Sequence, residues 1–147
     1  MKSKRNIILF LSLFAFLSSC VERVGYYDNG EQGIIDNLID KKWERNYEYM
    51  DPKGEKYTTY ETYIFKKDGT CSSKFVHISQ SGKTNEQTIN SRWAFYTPNF
   101  SVLYFNSGIY WQIRKLTPTQ LSVIETMGDY NNVGNTRYDK DFESKKE

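Results

Sequence analysis

From Lys42 onward, apolar and polar positions alternate with a period of two. In "KWERNYEYM", Trp43, Arg45, Tyr47 and Tyr49 fall on one face and Glu44, Asn46 and Glu48 on the other. That spacing predicts a half-buried strand. Just before it, Gly33 to Lys41 carries a different period. Ile34, Ile35, Leu38 and Ile39 form one helical stripe of about two turns. A helix so short is marginal alone in water, so its stripe must rest on the remainder of the fold.

Turn signals divide the rest of the chain into short strands. Asp51-Pro52-Lys53-Gly54 makes a turn, with Pro pre-setting φ and Gly free to take positive φ. A second strand is predicted over 56–66, and Asp68-Gly69 marks the hairpin to a third over 70–78. The polar stretch "SQSGKTNEQ" separates it from a fourth over 88–96. Further strands follow over 100–105, 109–116, 120–126 and 135–142, with breaks at Thr97-Pro98-Asn99, Asn106-Ser107-Gly108, Thr117-Pro118 and "GDYNNVGN". Every connection is short enough for an antiparallel neighbour. Closing the sheet removes the exposed edges that invite aggregation. The pattern predicts an all-β fold: an eight-stranded antiparallel up-and-down barrel with a short N-terminal helix.

The first residues belong to another class of segment. Lys2, Lys4 and Arg5 precede an apolar run from Ile7 to Leu17, and small Ser18 and Ser19 follow. This is the three-part build of a secretory signal, and its apolar run is too short to span a bilayer, which takes about 20 residues. Leu17-Ser18-Ser19-Cys20 resembles the bacterial lipobox. That resemblance implies cleavage before Cys20 and acylation of its thiol and amino group, several chains giving a firm anchor where one would not. The alternative is an ordinary signal whose Cys20 pairs with Cys71, the second of the two cysteines. The expected organisation is a signal peptide over 1–19, a lipidated Cys20 with a tether to 33, and one domain over 34–147. A short edge strand at Val24–Tyr27 is the other reading of the tether.

Processing changes the charge. The whole chain has 20 basic and 18 acidic residues. The leader holds three of the basic ones and none of the acidic, leaving 17 basic against 18 acidic. No basic footprint of a nucleic-acid binder remains.

The order of residues across the domain is similar to a known group. The stretches "LIDKKWERNYEY", "YIFKKDGTCSS", "SRWAFY", "YWQIRKLTPTQLSV" and "NTRYDKDF" resemble, in sequence and spacing, the lipocalin-like domains of envelope lipoproteins of Bacteroidetes-type bacteria. One departure is Lys41, where lipocalins often have Gly two residues before the first-strand Trp. The resemblance implies a lipid-anchored envelope protein, with the outer membrane favoured by Val21 after the anchor. It implies a small hydrophobic ligand in the barrel. It also implies an Arg closing the barrel base over Trp43, with Arg137 the candidate and Arg114 its competitor, unless Arg137 is solvated.

Candidate chemistry is sparse. His77 is the single histidine and no Cys cluster replaces a His set, so no metal site is expected. Cys71, Ser73, Phe75 and His77 share one strand face, but residues six apart on a strand lie about 20 Å apart, too far for a nucleophile and base to cooperate. Glu44, Glu48 and Glu61 read as the wet face of strands, and Cys71 as a buried, inert thiol. No phosphate loop, nucleophile elbow or calcium loop is visible. The expectation is a non-enzyme without cofactors.

Aromatic residues are the stronger signal. Of 12 Tyr, 9 Phe and 3 Trp, the leader takes Phe10, Phe14 and Phe16, leaving 21. Alternation from Trp43 points Tyr47, Tyr49, Tyr63, Phe65, Phe75, Trp93, Phe95, Trp111 and Ile113 inward. An eight-stranded barrel is just wide enough to be filled by side chains or to hold one small ligand. These rings therefore either fill the tube or line a pocket, which would need about 300 Å³ or more. Outward Tyr60, Tyr96 and Tyr110 offer a contact surface for an envelope protein partner.

Overall fold

The computed structural model describes residues 26–27 and 30–144. The signal-like leader and Cys20 lie outside the described residues. The elements in chain order are β1 (Tyr26–Tyr27), α1 (Gly30–Leu38), β2 (Lys42–Met50), β3 (Lys56–Phe65), β4 (Thr70–Ser79), β5 (Thr84–Phe95), β6 (Val102–Phe105), β7 (Ile109–Leu116), β8 (Gln120–Met127) and β9 (Arg137–Ser144). Strands β2 to β9 pair with their sequence neighbours in antiparallel order, and β9 returns to β2 at Trp43↔Ser144 and Glu44↔Glu143. This is the closed, eight-stranded up-and-down barrel that the alternation predicts.

Three local differences from the sequence expectation are the largest, the other strand ends shifting by at most two residues. The helix begins and ends three residues earlier than the Gly33–Lys41 stripe. It stops because Asp40 adopts a left-handed φ of 53°, a conformation Asp tolerates better than most residues. The Asp40 amide then donates to the Phe65 carbonyl at 2.8 Å. The segment to residue 33 is also more than a tether. Tyr26 and Tyr27 pair in parallel with Lys115 and Leu116 of β7, close to the edge-strand alternative, and α1 starts at Gly30. Finally, β5 starts at Thr84 rather than 88. The polar stretch before it is mostly strand, reversed by a tight turn with Gly82 at φ 83° and the Ser79 amide donating to the Lys83 carbonyl at 2.9 Å. From Thr84 to Asn90, β5 is exposed at every position. Its polarity reflects a sheet wet on both faces, not a loop.

The base of the barrel is filled. Ile34 and Leu38 of α1 are buried with Trp43, Phe65, Leu103, Trp111, Ile113, Leu116, Leu121, Val123 and Phe142. Trp43 Nε1 donates to the Leu38 carbonyl at 2.9 Å, tying the end of α1 to the first barrel strand. Trp93 Nε1 donates to the Lys66 and Thr70 carbonyls, both at 3.1 Å, and so clamps the Asp68-Gly69 hairpin.

Two seams of the tube are short. β2 meets β9 only at Trp43 and Glu44, and β5 meets β6 only over Trp93–Phe95. By contrast β2, β3, β4 and β5 pair with one another along their length, from Lys42↔Ile64 to Met50↔Lys56 and from Thr70↔Arg92 to Ile78↔Thr84. These four strands therefore run on past the closed tube as an arm, whose inner face continues the barrel wall.

Candidate functional site

Inward-facing positions form levels from the filled base to the arm. Above the base lies a layer of charge. Arg45 Nε and Nη2 donate to the two carboxylate oxygens of Glu61 at 2.8 and 3.0 Å. Lys140 Nζ contacts Glu61 at 3.4 Å and Glu125 at 2.9 Å. Trp111 Nε1 donates to Glu125 Oε2 at 2.7 Å. Glu61 is 3 % exposed, and Glu125 and Lys140 are each 8 % exposed. Two cations thus face two carboxylates, and the layer is neutral overall. Arg45 also stacks over the Tyr47 ring at 4.6 Å and Phe142 at 5.5 Å.

This layer corrects one expectation. Glu61 does not lie on the wet face. It shares strand parity with Tyr63 and Phe65, which point inward, so it must point inward too. Glu125 likewise shares parity with Leu121 and Val123, and Lys140 with Phe142. The signal was present as alternation; what the chain order did not show was which opposite charges meet across the lumen. Burial pushes the Glu61 carboxyl up, but the hydrogen bond from Arg45 and the charges of Lys140 and Arg45 outweigh it, and the net shift is down. A carboxylate depressed in the fold stabilises most above its unfolded value, about 4.3, and that contribution is lost as pH falls through the lower folded value. We expect the urea midpoint to hold through neutral pH and to fall below about pH 4.3, as followed by tryptophan fluorescence.

Beside the charged layer is a cavity of about 90 Å³, walled by Tyr63, Phe75, Phe105, Ile109, Trp111 and Ile89, with Ser73, Ser91, Ser107 and Glu125. It sits at the short seam. Asn106 and Arg92 exchange the last hydrogen bonds between the two walls, at 3.0 Å each. Beyond them Ile89 and Ser91 face Ser107 and Ile109 without strand pairing. The wall is mainly apolar. Its volume equals that of about three waters and is far below the 300 Å³ expected for a whole ligand.

Further out, the inner face of the arm carries an open groove of about 710 Å³ lined by Tyr49, Asp51, Glu55, Tyr57, His77, Ser79, Lys83, Thr84 and Asn85. Tyr49 and Tyr57 stack with centroids 5.1 Å apart and planes at 12°. His77 meets the Tyr49 ring edge-on at 6.3 Å, and its Nδ1 lies 2.8 Å from Thr59 Oγ1. The Tyr57 hydroxyl donates to Glu55 at 2.9 Å.

Comparison of the chain with protein-family models, curated proteins and solved structures finds no match. Its chemistry therefore has to be read from its own side chains.

The predicted lining residues divide into three groups. Tyr63, Phe75 and Trp111 line the cavity. Phe65, Trp93 and Phe95 do not; they pack edge-to-face in a chain, at 5.6 Å and 5.5 Å, and Phe95 continues onto Phe100 at 4.8 Å. They fill the base. Tyr47 and Tyr49 are not interior, being 36 % and 39 % exposed. The pairing of β2 with β9 ends at Glu44, so no opposite wall covers them.

Arg137 does not close the base. It pairs with Thr126 at the start of β9, whereas Trp43 pairs with Ser144 at the far end of that strand. Seven residues of strand separate the two levels, roughly 23 Å. Lys41 instead places its Nζ 5.9 Å from the Trp43 ring. Arg114 sits in the β7 bulge and is exposed.

Cys71 carries a free, buried thiol facing the base. Burial is the main cause that pushes it up to about 12. A thiol that stays protonated is a poor nucleophile. We expect native protein at pH 8 to resist iodoacetamide for hours and to react at once when unfolded, as read by intact mass. Among the described residues no group of three or more His, Cys, Asp or Glu is placed to hold a metal ion, and no helix is long and apolar enough to cross a membrane.

Proposed function

We propose that this chain is a lipid-anchored envelope protein, held at the outer membrane through Cys20, whose lipocalin-like barrel binds the apolar end of a small molecule. The observation that supports the binding reading is the apolar cavity at the short seam between β5 and β6, walled by Tyr63, Phe75 and Trp111. The anchor rests on Leu17–Cys20 and the leader before it. Protein purified from its native membrane is expected to yield a bound compound on solvent extraction and mass spectrometry. It should also brighten the apolar dye N-phenyl-1-naphthylamine, and Ser91→Phe, which fills the cavity, should abolish that signal. An unchanged dye response in this variant would count against the cavity as the site. Cys20→Ser should move the protein from the membrane to the soluble fraction and remove radiolabelled palmitate.

A second reading rests on the outer wall. Tyr96, Tyr104, Tyr110 and Tyr130 cluster there, with Tyr110 within 5.1, 4.8 and 5.8 Å of Tyr96, Tyr104 and Tyr130. Tyr60 is also exposed, but on β3, away from this cluster. Tyrosine is enriched at protein interfaces. If this wall binds an envelope partner, a partner captured by the wild type will be lost in Tyr96→Ser/Tyr110→Ser.

A further inference from the structure

The cavity and the groove share the inward face of β4. Ser73 and Phe75 of β4 wall the cavity, and His77 and Ser79 of the same inward face line the groove. Successive inward residues on a strand are about 6.6 Å apart, so the centres of the two regions are separated by roughly 13 Å. The cavity, at about 90 Å³, accepts only the tip of a ligand. The groove, at about 710 Å³, has the size of a whole small-molecule site, roughly 300–1,000 Å³. A ligand larger than the cavity leaves its bulk outside it, and the groove is the larger concave surface on the same inward face.

The two regions select different chemistry. The cavity wall is apolar, and the charged layer beside it is balanced within itself, Arg45 and Lys140 being engaged by Glu61 and Glu125. Nothing there calls for a charged ligand. The groove is different. It presents the stacked rings of Tyr49 and Tyr57 next to two carboxylates, Asp51 and Glu55, with one cation, Lys83. Asp51 Oδ1 accepts from the Lys53 and Glu55 amides at 2.8 and 2.9 Å, and Glu55 accepts from the Tyr57 hydroxyl; neither carboxylate is neutralised by an ion pair in these contacts. The negative surroundings also show in Tyr57, whose phenol is pushed up to about 12 by its bond to Glu55 first and by the charges of Glu55 and Asp51 after burial. Aromatic faces beside uncompensated carboxylates favour an organic cation, which is attracted by ring quadrupoles and carboxylates alike.

Building on the binding reading above, we infer that the ligand is a cationic amphiphile, with its apolar tip in the Tyr63–Phe75–Trp111 cavity and an ammonium head over Tyr49 and Tyr57. Three probes with one tail test this at concentrations below micelle formation: decyltrimethylammonium, decyl sulfate and decyl maltoside, measured by calorimetry on the full domain. The ammonium probe is expected to bind about tenfold more tightly than either other head group, as one favourable cation–π site allows. Tyr49→Ala/Tyr57→Ala and, separately, Glu55→Gln should erase that preference while N-phenyl-1-naphthylamine still binds. Ser91→Phe should weaken all three probes together. Equal affinity for the three heads, tighter binding of the sulfate or maltoside, or a preference untouched by both groove variants overturns the inference and leaves the apolar site standing. If neither the dye nor any decyl probe binds, the binding reading itself falls, and this one with it.

Discussion

Glu61→Gln is expected to destabilise the barrel by about 3–5 kcal/mol, a large part of the 5–15 kcal/mol typical of a whole domain. The cause is not the value of the ion pair as such. Taking two charges out of water costs several kcal/mol per ion, and their attraction only offsets this when the geometry is good. With Gln at 61, Arg45 keeps one amide oxygen as acceptor in place of a charged, two-oxygen partner, its second N–H faces an NH2 donor, and Lys140 keeps Glu125 as its carboxylate. Two cations then share one carboxylate inside the wall. Urea denaturation followed by circular dichroism measures the loss. Glu48→Gln, on the exposed outer face of β2, is the control and should shift stability by less than about 0.5 kcal/mol. Arg45→Met/Glu61→Leu/Glu125→Leu/Lys140→Met removes the whole layer and should lie near or above the wild type, because apolar groups of similar volume often replace buried ions without loss. If Glu61→Gln is as stable as the control, the layer is wetter than its burial indicates.

Trp111→Ala is expected to cost about 3–5 kcal/mol through packing, with a further loss from the charged layer. Trp111 is fully buried, and its ring lies 4.6 Å from Tyr63, 5.1 Å from Phe105 and 5.2 Å from Phe142. Its Nε1 is also the donor that holds Glu125 Oε2, in front of Lys140. Trp111→Phe separates the two roles. It keeps an aromatic ring in the core but removes the donor and part of the indole, so it should lose about 1.5–3 kcal/mol for the hydrogen bond to a charged group plus a smaller share of the packing loss. Thermal unfolding of the two variants beside the wild type gives the ranking. A phenylalanine variant as damaged as the alanine one would show that the ring contacts matter less than the bond to Glu125.

The strands were legible because their information is local. Alternation around Trp43, Tyr63 and Trp111 assigned each residue to a face, and Asp68-Gly69 and Asn106-Ser107-Gly108 marked reversals. The misreadings arose where a residue's neighbourhood is made by another strand. Tyr47 and Tyr49 have inward parity, yet they are half-exposed because β9 leaves β2 after Glu44. Thr84–Gln87 looked like a loop because both faces of that part of β5 are wet. Glu61 looked solvated because carboxylates usually are, although its parity with Tyr63 pointed inward.

Side-chain parity and turn chemistry depend on residues a few positions apart, and those sufficed to specify an antiparallel meander with its rings turned inward. Where the walls part is another matter. The length of the β2–β9 and β5–β6 seams depends on how strands about a hundred and about ten residues apart in the chain settle against each other, with a filled base and a helix plug beneath them. No local pattern encodes that balance between pairing and packing. It is this balance that leaves the arm, the small cavity at the seam and the groove beyond it, and that brings Arg45, Glu61, Glu125 and Lys140 from four separate strands into one neutral layer.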